Sequence, residues 1–148
     1  MAEVNHPVRL EQLTFTRSIV VAVPGHVPDP GKMTDAPENN IQVSKLDEQG
    51  TKYQVSMRCQ LNREGGTAAP YIVDMECYAV LDIDPDLDEQ TAHRGATITG
   101  HSVCYGAIRE AVAWITSRQP YGQLMLGLSV LQGKSAETTQ GEPAETKE

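Results

Sequence analysis

Between Thr51 and Asn62 apolar and polar residues alternate without a break. Tyr53, Val55, Met57, Cys59 and Leu61 fall on one side, and Lys52, Gln54, Ser56, Arg58 and Gln60 on the other. Period-two alternation over this length predicts a strand with one wet and one buried face. After the turn signal Arg63-Glu64-Gly65-Gly66 the pattern returns from Ala69 to Leu81, with Tyr71, Val73, Met75, Cys77, Ala79 and Leu81 on one face. Its other face carries Asp74 and Glu76 among Ile72, Tyr78 and Val80. The two runs predict an antiparallel hairpin whose oily face must be covered by another layer.

Two further strands are predicted, over Leu10–Val23 and Asn40–Leu46. The first places Phe15, Ile19, Val21 and Val23 on one face, with Arg17 as an interruption. Asp47-Glu48-Gln49-Gly50 is a turn. Pro24 to Asn39, rich in Pro, Gly and Asp, is a long loop for so small a domain, and loops of that length are commonly functional. Beyond the sheet, Asp84-Pro85 reads as an N-cap followed by proline at the first helical position, predicting a short helix to about His93. Gly95 to Gly100 reads as a linker. A main helix follows from Ser102, with Val103, Ala107, Ala111 and Ile115 as one apolar stripe and Cys104, Ile108 and Val112 as a second. Pro120 and Gly122 stop it, and an apolar run continues to Leu131. The order β-β-β-β-α-α predicts an α+β fold, a four-stranded antiparallel sheet with a long C-terminal helix and a short helix packed on one face. Residues 1–9 are expected to be a flexible N-terminus and 10–131 the folded domain. Residues 132–148, low-complexity Ser, Thr, Gly, Pro, Glu and Lys, are expected to be a disordered acidic tail.

Aromatic residues are only 5% of the 148-residue chain against 39% hydrophobic, so the core must be aliphatic. The formal net charge of -8 disfavours nucleic acid as a partner, although the tail alone supplies four of the glutamates. The N-terminus shows no basic segment followed by an apolar core, and no apolar stretch reaches membrane-spanning length, so neither a secretory leader nor stable membrane insertion is predicted. Cys59, Cys77 and Cys104 lie in apolar runs and read as reduced core thiols of a cytoplasmic protein.

Chemistry finds little support. The run Asp82, Asp84, Asp86, Asp88, Glu89 resembles a calcium loop only superficially, because the positions needing Gly and an acid hold Leu87 and His93. Solvated acids at a helix start explain it better. His93, His101 and Cys104 lack the short spacing of zinc ligands. There is no Gly-x-Ser-x-Gly elbow and no phosphate-cradling loop. Cys104 near a helix N-terminus admits a lowered thiol pKa, yet it lies on the apolar stripe, where packing explains it. No enzyme, cofactor or metal is predicted.

The stretch Val103–Leu126 resembles the C-terminal signature of the SecB export-chaperone family. That pattern runs as an apolar triplet, Pro-Tyr-Ala-Arg-Glu, a helix to Ser-Arg, then aromatic-Pro-Gln-Leu-x-Leu. Val103, Cys104 and Tyr105 stand for the triplet. Arg109 and Glu110 match the Arg-Glu pair, in register with Ser117 and Arg118. Tyr121, Gln123, Leu124 and Leu126 match the run that follows. The chain departs from the pattern at Gly106, where the family has Pro, and over Leu128–Leu131, where it has Pro-Val-Asn-Phe. A looser likeness extends back to about Leu10.

The resemblance implies an ATP-independent holdase, a homotetramer built as a dimer of dimers, whose apolar grooves take up unfolded polypeptide clients. It implies client contacts at Val23, Pro24, Trp114, Tyr121, Leu124 and Leu126. In the family, Sec-dependent export proceeds through docking on the SecA translocase motor. Ile72 and Asp74 occupy one part of that docking site, while Ser18 and Ala22 stand where the family has its acidic pair. A chaperone dedicated to one client such as an antitoxin is an alternative within the same family. Outside it stand a non-chaperone oligomeric adaptor or scaffold and a small-molecule-binding enzyme.

Overall fold

In a computed structural model, residues 7–28, 36–48, 50–129 and 131 are described. The alternating runs become β3 (Lys52–Leu61) and β4 (Tyr71–Ile83), paired antiparallel with Cys59 opposite Met75, Met57 opposite Cys77 and Val55 opposite Ala79. The turn between them is closed by Asn62, whose side chain accepts from the Gly66 N–H at 3.0 Å and donates to the Gly66 carbonyl at 2.9 Å. Asn62 itself sits at φ 54°, a left-handed conformation that asparagine tolerates. Every residue predicted for the oily face of these two strands is buried, none more than 3% exposed.

β1 (Val8–Ala22) and β2 (Glu38–Lys45) complete an antiparallel sheet of order β1-β4-β3-β2, so the chain must cross from one edge to the other after β1. β1 begins two residues ahead of the expected Leu10. Its register with β4 slips between Leu10 and Gln12 and again between Phe15 and Arg17. Each extra residue in a bulge reverses which face the following side chains take. Phe15, opposite Cys77, therefore lies on the core side, while Ile19 and Val21, opposite Asp74 and Ile72, lie on the outer side. The single-face grouping of Phe15, Ile19 and Val21 is thus corrected; unbroken alternation cannot register a bulge.

The expected short helix and glycine linker are also corrected. One helix, α1 (Glu89–Thr116), runs unbroken for 28 residues. Asp84 instead forms a turn, its Oδ1 accepting from the Asp86 N–H at 2.9 Å. The N-cap is Asp88, which accepts from the Thr91 N–H at 2.7 Å and from the Thr91 hydroxyl at 2.9 Å. Gly100 is a contact point within the helix, where a Cβ would stand 2.4 Å from Val55 Cγ2 and within 2.6 Å of two further Val55 atoms. Its absent side chain lets α1 approach β3 closely. Ala92, Ala96, Cys104, Ile108 and Val112 bury the sheet-facing stripe, whereas Val103, Ala107, Ala111 and Ile115 stay half-exposed beside it.

All three cysteines are free and buried. Burial, aided by the Asp74 charge, pushes the Cys59 thiol up to about 11. Hydrogen bonding to Cys104, then burial, holds the Cys77 thiol well above its usual range. The hydrogen bond with Cys77 instead lowers the Cys104 thiol against the effect of burial, yet all three sulfurs are sealed in the core. Among the described residues no cluster of metal-ligating side chains occurs and no helix is long and apolar enough to cross a membrane. Residues 1–6, 132–148 and the middle of the long loop, 29–35, lie outside the described residues, as do the expectations placed on them.

Candidate functional site

After α1 the chain turns at Pro120–Gly122 and runs back along the helix. Side chains of the helix hold this segment by its backbone. The Thr116 hydroxyl accepts from the Leu124 N–H at 2.8 Å, Arg109 Nε donates to the Leu126 carbonyl at 2.6 Å, and the Tyr105 hydroxyl donates to the Gly127 carbonyl. His101 Nε2 meets the Ser129 hydroxyl at 3.1 Å, and Asn39 of β2 donates to the same oxygen at 3.3 Å. Tyr71 of β4 donates to the Gly122 carbonyl at 2.6 Å. The anchors step along one helix face at 101, 105 and 109, each one turn from the next.

Leu124 and Leu126 point down onto the core; Leu126 is 4% exposed. Gln123 and Met125 alternate with them and point up. With Trp114, Ala113, Gly106 and Glu110 of the helix they bound a shallow groove between α1 and the segment. Trp114 is 70% exposed, Met125 56% and Leu128 84%. Trp114 of α1 and Met125 of the segment thus put large apolar side chains into water at one groove, of the kind that receives a partner, and Leu128 exposes a third further along the segment. Arg109 lines the groove but spends its Nε on the Leu126 carbonyl, whereas Glu110 is exposed.

A second cluster forms at the C-terminal end of α1. Tyr121 donates to the Val23 carbonyl at 2.6 Å, sets its ring edge-on against His26 with centroids 5.0 Å apart, and meets Tyr71 at 5.8 Å. Val23, Pro24 and Tyr121 are thereby brought together from distant parts of the chain. The Val23 side chain is 2% exposed and serves the core, while Pro24 and Tyr121 face water. Of the six residues that sequence reasoning singles out for clients, Trp114, Tyr121 and Pro24 offer exposed surface, Leu124 is half-buried, and Val23 and Leu126 hold the frame. Met125 and Leu128 escaped notice, although alternation with Leu124 and Leu126 marks Met125 as outward.

The opposite face of the sheet carries Ile72 and Asp74. The Asp74 carboxylate accepts from Arg58 at 2.8 and 2.9 Å and from Arg17 at 3.3 Å. These contacts, the Arg58 hydrogen bond foremost, hold its carboxyl below the usual range against the effect of burial. Its charge is spent within the chain. Ser18 and Ala22 pair with Met75 and Tyr71, so they lie on the other face from Asp74.

No protein-family model and no curated protein sequence matches the chain. Among solved structures it is similar to the SecB-like chaperone of Mycobacterium tuberculosis, solved in complex with a ChAD peptide from the HigA1 antitoxin. That likeness has a TM-score of 0.62 at 20% identity and covers 86% of this chain and 94% of that one. A protein of unknown function from Streptococcus agalactiae is similar at a TM-score of 0.55 and 11% identity, over 82% of this chain and 97% of that one. The sheet of four antiparallel strands, the crossover after β1 and the single long C-terminal helix make this a SecB-like fold.

Proposed function

We propose that this chain is an ATP-independent holdase chaperone that binds unfolded or non-native polypeptide, and that it is not an enzyme. The observation that carries the reading is the groove between α1 and the segment pinned to it, where Trp114 and Met125 stand exposed, on a SecB-like fold. Burying apolar client side chains there contributes about 25 cal/mol per Å². Several such contacts along one client add through effective concentration, so affinity needs no sequence code. The acidic composition keeps an adhesive surface soluble.

The assembly proposed is a homotetramer, a dimer of dimers. The half-exposed stripe Val103, Ala107, Ala111 and Ile115, together with Leu10, Leu13 and Phe15 on the core side of β1, supports it, because this flank is apolar and only partly covered by its own chain. Buried, unpaired cysteines support a cytoplasmic setting. Docking on the SecA motor is not part of the proposal: Asp74 is already bridged to two arginines, and the places of the acidic pair hold Ser18 and Ala22 on the opposite face. A dedicated client is the second reading. The Mycobacterium tuberculosis SecB-like chaperone was solved with a peptide from an antitoxin, which supports one dedicated polypeptide client such as an antitoxin.

Light scattering of several unrelated unfolding proteins, with and without the chain, tests the proposal. A general holdase suppresses aggregation of most of them near stoichiometric ratio. A dedicated chaperone suppresses one class, and an adaptor none. Solution mass checks the tetramer.

A further inference from the structure

One turn beyond Gly100, whose missing Cβ brings α1 against β3, the helix sets Cys104 over the sheet. The Cys104 thiol donates to the Val55 carbonyl of β3 at 3.6 Å. Cys77 of β4 lies on the same face of the sheet and donates to the Cys104 carbonyl at 3.7 Å, and the two thiols hydrogen-bond to each other. Both residues are fully buried. Cys59 shares the core but is placed differently. Met57 is the residue opposite Cys77, so Cys59 stands diagonally across the strand pair. Diagonal neighbours lie about 7–8 Å apart, beyond the Cα span of about 4.4–6.8 Å that a disulfide bridges. The sulfur within reach of Cys77 is therefore that of Cys104.

Independently of the chaperone reading, we propose that Cys77 and Cys104 are an oxidative modification site, at which hydrogen peroxide forms a disulfide that locks α1 to β4. The Cys104 sulfur attacks one peroxide oxygen. The O–O bond breaks, the sulfur becomes a sulfenic acid, and the other oxygen leaves as water with the thiol's proton. The Cys77 sulfur then displaces the sulfenic oxygen, which leaves as a second water with the Cys77 proton. The two thiols lose two electrons between them and the peroxide gains both. The shared hydrogen bond sets this order, because it favours a negative Cys104 sulfur and keeps the proton on Cys77. Burial sets the rate and the lifetime. Peroxide is scarcely larger than water and enters when α1 opens locally, whereas a reductant the size of glutathione does not reach a closed core. The bond therefore forms slowly and outlasts the oxidant. In a reducing compartment the pair stays free until peroxide appears.

Treating the full chain with hydrogen peroxide, removing the excess with catalase, then unfolding it and alkylating the free thiols tests this. Of the three cysteines only Cys59 should take the label, and a non-reduced digest should yield one peptide pair joined through Cys77 and Cys104. The two residues are 27 positions apart, and closing a loop of that length in the unfolded chain should raise the Tm by about 5–10 °C. Cys59→Ser should form the same bond. Cys104→Ser should form none, and its Tm should not rise with peroxide. Met125, 56% exposed, reports that the oxidant has acted, because its thioether turns to sulfoxide. Label on all three cysteines in a sample whose Met125 is oxidised overturns the proposal. So does a bond through Cys59, bonding only between chains, or a cross-linked protein whose Tm is unchanged.

Discussion

Tyr121 donates its hydroxyl to the Val23 carbonyl across 2.6 Å, tying the turn after α1 to the start of the crossover after β1, 98 residues earlier in the chain. That bond fixes one end of the groove-forming segment. Tyr121→Phe keeps the ring against His26 and Tyr71 but deletes the donor. Because Tyr121 is 40% exposed, water replaces part of what is lost, and the expected cost is about 0.5–1 kcal/mol. Urea denaturation at constant slope measures it, and client affinity should fall along with the loosened turn.

Gly100 makes a sharper prediction. A methyl group there enters space held by Val55. Gly100→Ala gains about 1 kcal/mol of helix propensity, but overpacking of a tight core contact costs about 1–3 kcal/mol, so net destabilisation is expected. Val55→Ala in the same chain should recover part of the loss. A double-mutant cycle with coupling near zero would remove the close approach as the reason for this glycine.

His101 is 7% exposed, stacked on Tyr105 with centroids 6.0 Å apart, and bonded to Ser129. Burial lowers its pKa, so the folded state resists protonation more than the unfolded one. The stability carried by the neutral ring is complete above the unfolded value near ~6.5 and declines as pH falls below it. Thermal unfolding between pH about 8 and 5 should therefore show a falling Tm that flattens in His101→Asn, with the pinned segment exchanging its amides faster at the acid end.

Asp74 has the carboxylate sign. Its pKa is depressed, chiefly by the Arg58 hydrogen bond. Its contribution is present above the unfolded value near ~3.9 and disappears as pH falls through the folded one. Asp74→Asn should lower the Tm at neutral pH and flatten its acid limb below about pH 4. If the pair Arg58–Asp74 is structural, client binding by this variant stays normal, because the carboxylate lies on the sheet face away from α1.

The sheet was legible because β3 and β4 alternate strictly, and two paired strands with one oily face determine where a helix must lie. Features that depend on one residue's environment were not. Each bulge in β1 needs β4 beside it to be seen. Gly100 looks like a linker until Val55 is placed against it. Asp84-Pro85 carries the composition of a helix start, but Asp88 takes the cap because its side chain reaches the Thr91 N–H. At the groove, the resemblance pointed to Leu124 and Leu126 as client contacts, whereas the structure packs both against the core. Leu124 and Leu126 resemble exposed binding residues only while nothing specifies the segment's parity. The anchors from Arg109 and Thr116 fix that parity and turn Met125 outward.

That parity separates two substitutions that look alike in sequence. Leu126→Asp places a carboxylate at a position 4% exposed, next to the core, and should cost several kcal/mol or prevent folding. Its loss of chaperone activity would then be indirect, accompanied by a lowered Tm or altered mass. Trp114→Ala removes a side chain that is 70% exposed and should leave Tm within about 1–2 °C, because surface truncations change stability by ~0.5 kcal/mol or less. It should nonetheless weaken client capture by about tenfold or more, since exposed tryptophan in a binding groove is the typical dominant anchor. Aggregation suppression measured beside thermal unfolding and solution mass distinguishes the cases. A Trp114→Ala protein that keeps its mass, its Tm and its full suppression of aggregation would take the groove out of the mechanism.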